Sequence, residues 1–249
     1  MHGASTNKKT REDSRKVLDW IYGRIPETKG CMENNSKSES EGGCGSWCCS
    51  SQNPQVLYVE FLNAWHHVTH TWKQREFLDL VERCLRAYLY DGHRRGCVFW
   101  NRETKLCNNH EKRPFNCRVY GITPKEEFGS RFARLKVIYP DMRDQCSLVS
   151  TVNGKTVTTK ETDEWWKLIN NAEKALGVNP KKIHDGVDGS YRTYYEHVLL
   201  ETMGVEGMQM LSDTRLAGSP EEKEAILQKA LAGLKDILDA AVQSKSSNS

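Results

Sequence analysis

The stretch Cys97-Val-Phe-Trp-Asn-Arg-Glu-Thr-Lys-Leu-Cys107-Asn-Asn-His110-Glu-Lys-Arg113-Pro-Phe-Asn-Cys117-Arg118 decides how this chain is read. Nine residues separate Cys97 from Cys107, and nine more separate Cys107 from Cys117. No apolar period of 2 or 3.6 runs through the segment, so it has no face to bury as a strand or a helix would. Upstream, Cys31 and the run Cys44-Gly-Ser-Trp-Cys48-Cys49 lie in a stretch, residues 27–54, dominated by Ser, Gly, Asn and Glu. Downstream lies Cys146, and the last hundred residues hold no cysteine. Segments this polar need a tie other than apolar burial, and a metal held by thiolates supplies one.

Outside these loops the pattern is helical. Residues 10–24 predict a helix with Thr10 as N-cap and Val17, Leu18, Ile21 and Tyr22 on one face, ended by Pro26. Val56 to Tyr90 predicts one or two helices, with a stripe of Phe77, Leu78, Val81, Leu85 and Leu89. Cys84 falls inside that run and reads as a small buried hydrophobe. Phe132 to Tyr139 alternates like a strand, and Ser147 to Thr159 reads as a hairpin around Asn153-Gly154. Glu161 to Leu176 reads as a helix closed by Gly177, and Tyr191 to Met203 as another. Ser219-Pro-Glu-Glu222 is a capping box with proline at the first helical position, opening a last helix. The fold class is α+β: an irregular cysteine-rich module with a small antiparallel hairpin or sheet, then a helical module. The expected boundaries are an N-terminal helix in 1–26, a metal-binding domain in 27–159 and a helical module in 160–249.

With 249 residues, 37% of them hydrophobic, and a mean hydropathy of −0.70, the chain can bury a real core yet has a polar surface. No run approaches the ~18 apolar residues of a membrane span, and Met1 to Lys16 has no apolar signal region, so a cytoplasmic protein is expected. A net charge of +3 is too weak to argue for nucleic acid. The excess is local: residues 102–143 hold ten Lys/Arg against five Asp/Glu, which also suits a patch that balances thiolate charge.

A disulfide framework fits poorly, since the nine cysteines are odd in number and no export signal is present. Zinc sites commonly use two short C-x2–4-C knuckles, and only Cys44 and Cys48 have that spacing. Adjacent Cys48 and Cys49 fit different metal atoms more easily than one small ion. Loop-borne thiolates at irregular spacing suit an iron–sulfur cluster, 4Fe-4S first, with zinc as the alternative. The radical S-adenosylmethionine spacing C-x3-C-x2-C fails, because Cys49 follows Cys48 directly. His66 and His70 stand i, i+4 without the carboxylate of a metalloprotease motif, and read as one side of an amphipathic helix.

Residues 31 to 146 resemble the CxxCxxCC zinc- or iron-chelating domain family, the YkgJ-type cysteine-cluster proteins. The resemblance rests on the cysteine pattern and on Arg113-Pro114-Phe115-Asn116-Cys117-Arg118. It implies eight metal-ligating cysteines: Cys31, Cys44, Cys48, Cys49, Cys97, Cys107, Cys117 and Cys146. The departure is at the first cluster, where twelve residues rather than two separate Cys31 from Cys44. Arg113, Arg118 and His110 surround two of these cysteines and are candidates to bind the cofactor, the arginines by offsetting charge and donating to sulfur. Flagellin lysine N-methylases resemble the cluster more distantly, and no glycine-rich S-adenosylmethionine loop accompanies it here. The expected roles are redox, electron transfer or sensing with a protein partner. Two alternatives stay open, an enzyme acting on a small molecule or peptide side chain, and a structural zinc module.

Overall fold

The structure is a computed structural model that describes residues 8–51, 53–90, 96–124, 126–127, 129, 146, 148–177, 179–182 and 189–246. The strand expected over Phe132 to Tyr139 lies outside the described residues. In chain order the elements are α1 (Lys8–Tyr22), β1 (Thr28–Lys29), α2 (Cys31–Asn35), α3 (Trp47–Ser51), β2 (Gln55–Val56), α4 (Tyr58–Thr71) and α5 (Gln74–Leu89). There follow α6 (Phe115–Val119), β3 (Ser150–Thr151), α7 (Thr159–Ala175), β4 (Asn179–Lys182), β5 (Gly189–Thr193), α8 (Tyr194–Ala217) and α9 (Pro220–Ser246). The class is α+β, with helices predominating.

The helix starts follow from capping chemistry. Glu161 Oε2 accepts the Thr158 amide at 2.9 Å while Thr158 Oγ1 accepts the Glu161 amide at 3.2 Å, so α7 opens on a reciprocal box. Ser219 and Glu222 open α9 in the same way, as the sequence predicts. The N-terminus of α4 is capped from afar. The fully buried carboxylate of Glu173, on α7, accepts the amides of Tyr58 at 2.9 Å and Val59 at 2.7 Å.

Three elements differ from expectation. Helix α1 starts at Lys8, ahead of the expected Thr10 cap, and Val17 is 44% exposed while Ser14, Leu18, Ile21 and Tyr22 are buried. Tyr191 belongs to a strand, not a helix. The Thr193–Glu196 capping pair sets the helix start after Thr193, and β5 takes the residues before it. Helix α8 then runs past Met203 through a break at Gly204 (φ 69°, ψ −175°). Third, the Asn153-Gly154 turn forms, with the Gly154 amide 3.2 Å from Thr151 O. Among the described residues, however, β3 does not fold back on the chain that follows. It pairs antiparallel with β1, Thr28 opposite Thr151 and Lys29 opposite Ser150. A second sheet has the order β2-β5-β4, with β2 antiparallel and β4 parallel to β5.

One apolar core joins Leu18 and Ile21 of α1, Phe61 of α4, Leu80 and Leu85 of α5, Ile169 of α7, Leu199 of α8 and Leu227 of α9. Helix α5 packs on α8 and α9, and α1 on α4 and α7. Cys84 is 0% exposed in that core, as its place in the α5 stripe predicts. No described helix is long and apolar enough to cross a membrane.

Candidate metal centre

The spacing of nine between Cys97 and Cys107 has a structural cause that periodicity does not reveal. The chain turns back tightly. Asn101 N donates to Leu106 O at 2.9 Å, Asn108 N donates to Phe99 O at 2.8 Å, and Trp100 bridges to Cys107. The Asn101 side chain holds the turn by accepting the amides of Glu103 and Thr104. Cys117 comes next on the short helix α6. Buried Glu60 fixes the start of that helix, its Oε1 accepting the Phe115 amide and the Tyr22 hydroxyl, both at 2.7 Å.

The two cysteine loops are stitched to each other. Cys97 N donates to Cys49 O at 2.7 Å. This approach requires Gly96, since a Cβ there would stand 2.4 Å from Cys49 O and 2.5 Å from Ser50 O. Fully buried Ser46 lies with its Oγ 2.9 Å from Asn35 O and 2.5 Å from Lys105 O, so one proton serves both carbonyls. Cys31 joins through the sheet: it follows β1 by two residues, and the β1–β3 pairing lays that end beside the chain leaving Cys146. Asn35 sits between Cys31 and Cys44, its Nδ2 3.9 Å from Cys31 Sγ and its Oδ1 accepting the Cys44 thiol at 3.2 Å.

The electrostatics sort the thiols into two groups. Cys31 feels Cys44, Cys48 and Cys146, and Cys146 feels Cys44 and Cys48. Cys117 feels Cys97, Cys48 and Cys107, and Cys49 feels Cys48, Cys97 and Cys117. Cys48 is within electrostatic reach of both groups. Burial, the leading cause, pushes Cys31 and Cys97 up to about 12 and raises Cys107, Cys117 and Cys146. The exception is Cys48, drawn down to about 7 chiefly by its hydrogen bond with Cys49, which the same bond pushes far up.

The donor chemistry fits zinc or iron, since soft thiolates select these ions. Cys48 Sγ and Cys49 Sγ lie 3.9 Å apart. Two sulfurs on one tetrahedral zinc, at Zn–S ~2.3 Å, would stand ~3.8 Å apart. The divergence expected of neighbouring cysteines is therefore absent at the start of α3, and the zinc alternative gains. Among the described residues no three His, Cys, Asp or Glu side chains stand close enough to hold an ion as they are placed. The thiols are gathered into one neighbourhood without being closed around a point.

Arg113 is within electrostatic reach of Cys31, Cys107 and Cys117, and its charge opposes the rise that burial causes in all three. Its Nη2 donates to Thr28 Oγ1 at 2.6 Å, and its Nη1 pairs with His110 Nε2. Burial first, then Arg113 and Arg118, bring His110 down to about 4, so it is neutral at pH 7 and accepts from Arg113. Arg118 donates through Nε to Arg113 O at 2.9 Å and through Nη2 to Glu111 O, and its guanidinium lies 4.2 Å over the Tyr22 ring. These side chains line a cleft of about 280 Å³ with Ile25, Pro26, Glu27 and Glu111.

Sequence reading missed Asn35, Glu60 and Tyr22. An acid in the apolar run Val59-Glu60-Phe61-Leu62 was the available signal for Glu60. His66 and His70 lie on α4 with His70 Nδ1 2.8 Å from His66 O, on its own helix.

Residues 40–134 match the family model CxxCxxCC, described as "Putative zinc- or iron-chelating domain". That is the family the cysteine pattern resembles, and the match supports zinc or iron binding by this segment. No curated protein and no solved structure matches the chain.

Proposed function

We propose that the chain binds metal through the eight thiols of Cys31, Cys44, Cys48, Cys49, Cys97, Cys107, Cys117 and Cys146. In iron-replete, oxygen-free conditions the occupant is an iron–sulfur centre, 4Fe-4S first, that passes electrons to or from a protein partner. The observation that carries this reading is the gathering of eight thiols, carried on short helices and turns, around the Cys48–Cys49 step. Arg113, within electrostatic reach of three of them, supplies positive charge that offsets thiolates and favours an added electron. The test is anaerobic purification with iron, zinc and labile sulfide measured per chain. Brown protein with a broad band near ~400 nm and stoichiometric sulfide supports the cluster. Colourless protein with stoichiometric zinc and no sulfide keeps the thiol site and removes the redox role.

A second reading is favoured by the cleft at Arg113, Arg118 and His110. The cleft is lined by Arg113, which neighbours three of the thiols, and would seat a small polar molecule near the centre, with the centre as cofactor. Metal-dependent turnover lost in Arg113→Ala, with metal content unchanged, would support it over electron transfer alone.

A further inference from the structure

Tyr194 opens α8 and is 1% exposed, with its ring edge-on to Phe99 at 4.9 Å between centroids. Phe99 stands two residues from Cys97 in the tight turn. The Tyr194 hydroxyl is buried and has no hydrogen-bond partner among the described residues. Two other core tyrosines are not left this way. Tyr22 donates to Glu60 at 2.7 Å, and Tyr58 donates to Glu201 at 2.6 Å. A buried hydroxyl without a partner costs about 1–3 kcal/mol, and such a group in a well-packed core calls for an explanation.

The surroundings supply one. The groups whose charge the phenol feels include Glu60, Cys117, Cys97 and Cys107. Glu60 accepts from Tyr22, Phe115 and Leu57, and the Tyr194 hydroxyl is not among its donors. The thiols are the other charge-bearing groups around the phenol. A protonated thiol is a poor acceptor for a phenol. A thiolate on a metal carries charge and accepts well.

We propose that Tyr194 is a positioning residue of the metal centre, its hydroxyl donating to a thiolate of the Cys97–Cys107–Cys117 group once metal is bound. No role has been assigned to it, and nothing in the sequence distinguishes it from the neighbouring core tyrosines. The inference rests on the metal-centre reading. It adds that metal loading gives a partner to a donor that has none among the described residues. Removing the hydroxyl should therefore weaken the loaded state and spare the empty one, the reverse of what loss of a structural hydrogen bond does.

The test uses Tyr194→Phe in the full chain, with zinc alone as the probe. Zinc affinity is measured by competition with a chromophoric chelator, and the stability of the metal-free protein by urea unfolding. Affinity should fall about 10- to 100-fold, with the urea midpoint of the metal-free variant equal to or above that of the parent. Cobalt substitution should show a shifted sulfur-to-metal charge-transfer band. Tyr195→Phe, at the adjacent buried tyrosine, should leave zinc affinity unchanged. Parental affinity in Tyr194→Phe overturns the inference and leaves the metal centre standing. So does a variant that loses stability without metal in proportion to its loss of affinity. A parent that takes up neither zinc nor iron overturns both.

Discussion

Helices α4, α5, α7 and α8 and the cysteine loops are held together by different physics. The helices share a core in which Leu80, Leu85, Ile169 and Leu199 are each 0% exposed, so area removed from water stabilises them. In the loops, α2, α3 and α6 are five residues each, too short to persist alone. Their apolar anchors are few, such as Phe99 and Phe115. What joins them is point contacts: the Cys97–Cys49 backbone bond, the Ser46 hydroxyl, the Asn35 amide and the Glu60 carboxylate. On the metal-centre reading, the helical half should tolerate loss of any one ligand, and the loop half should depend on what its thiols hold.

The largest effect that could break this comparison is metal withdrawal. Chelation under reducing conditions should leave the amides of α5 and α8 protected from hydrogen exchange while residues 31–51 and 97–119 lose protection. Structural zinc contributes on the order of 10 kcal/mol of folding energy in small modules. Equal protection in both halves after chelation would show that the loops stand without metal.

Leu85→Ala is the opposite probe. It should destabilise the fold by about 2–5 kcal/mol in urea unfolding and leave metal per chain unchanged. A variant that lost metal in step with stability would show that the halves do not separate.

Proton release sharpens the contrast further. The buried thiols of Cys31 and Cys97, at about 12, are protonated at pH 7 in the metal-free protein, and ligands must be thiolates. Rising pH therefore strengthens uptake, by about tenfold per pH unit for each proton released. Zinc affinity that is flat between pH 6 and 8 would contradict buried thiols as the donors. The smallest effect is at Cys84. Cys84→Ala should keep full metal content with a stability loss near ~1 kcal/mol, whereas Cys107→Ala should lose metal and solubility. Reversed results would exchange their roles.

The helical half was the legible one. Alternation of burial along α5, the capping boxes of α7 and α9 and the Asn153-Gly154 turn all act within a few residues, where pattern and cause coincide. The loop half was legible only as chemistry. Cysteines announce thiolates wherever they fall, but their grouping depends on long-range contacts such as β1 with β3, Ser46 with Lys105 and Gly96 against Cys49. Glu60 left a signal, an acid inside an apolar run, but not its partners. Tyr194 left none, since it occupies a helical position that an ordinary core residue could fill, and only the atoms around it reveal the difference.

The Glu173 cap on α4 bears on the order of events during synthesis. Tyr58 and Val59 wait for a carboxylate more than a hundred residues later, and Phe115 waits for Trp165 and Trp166 to pack against its ring. Every cysteine has left the ribosome before these supports exist, and at roughly 5–20 residues per second the interval lasts seconds. During it the thiols are unshielded, open to oxidants and to whichever ion is most abundant. The burial that later raises their pKa thus closes over a choice already exposed to competition, and the metal recovered from cells will reflect supply during translation as well as affinity afterwards.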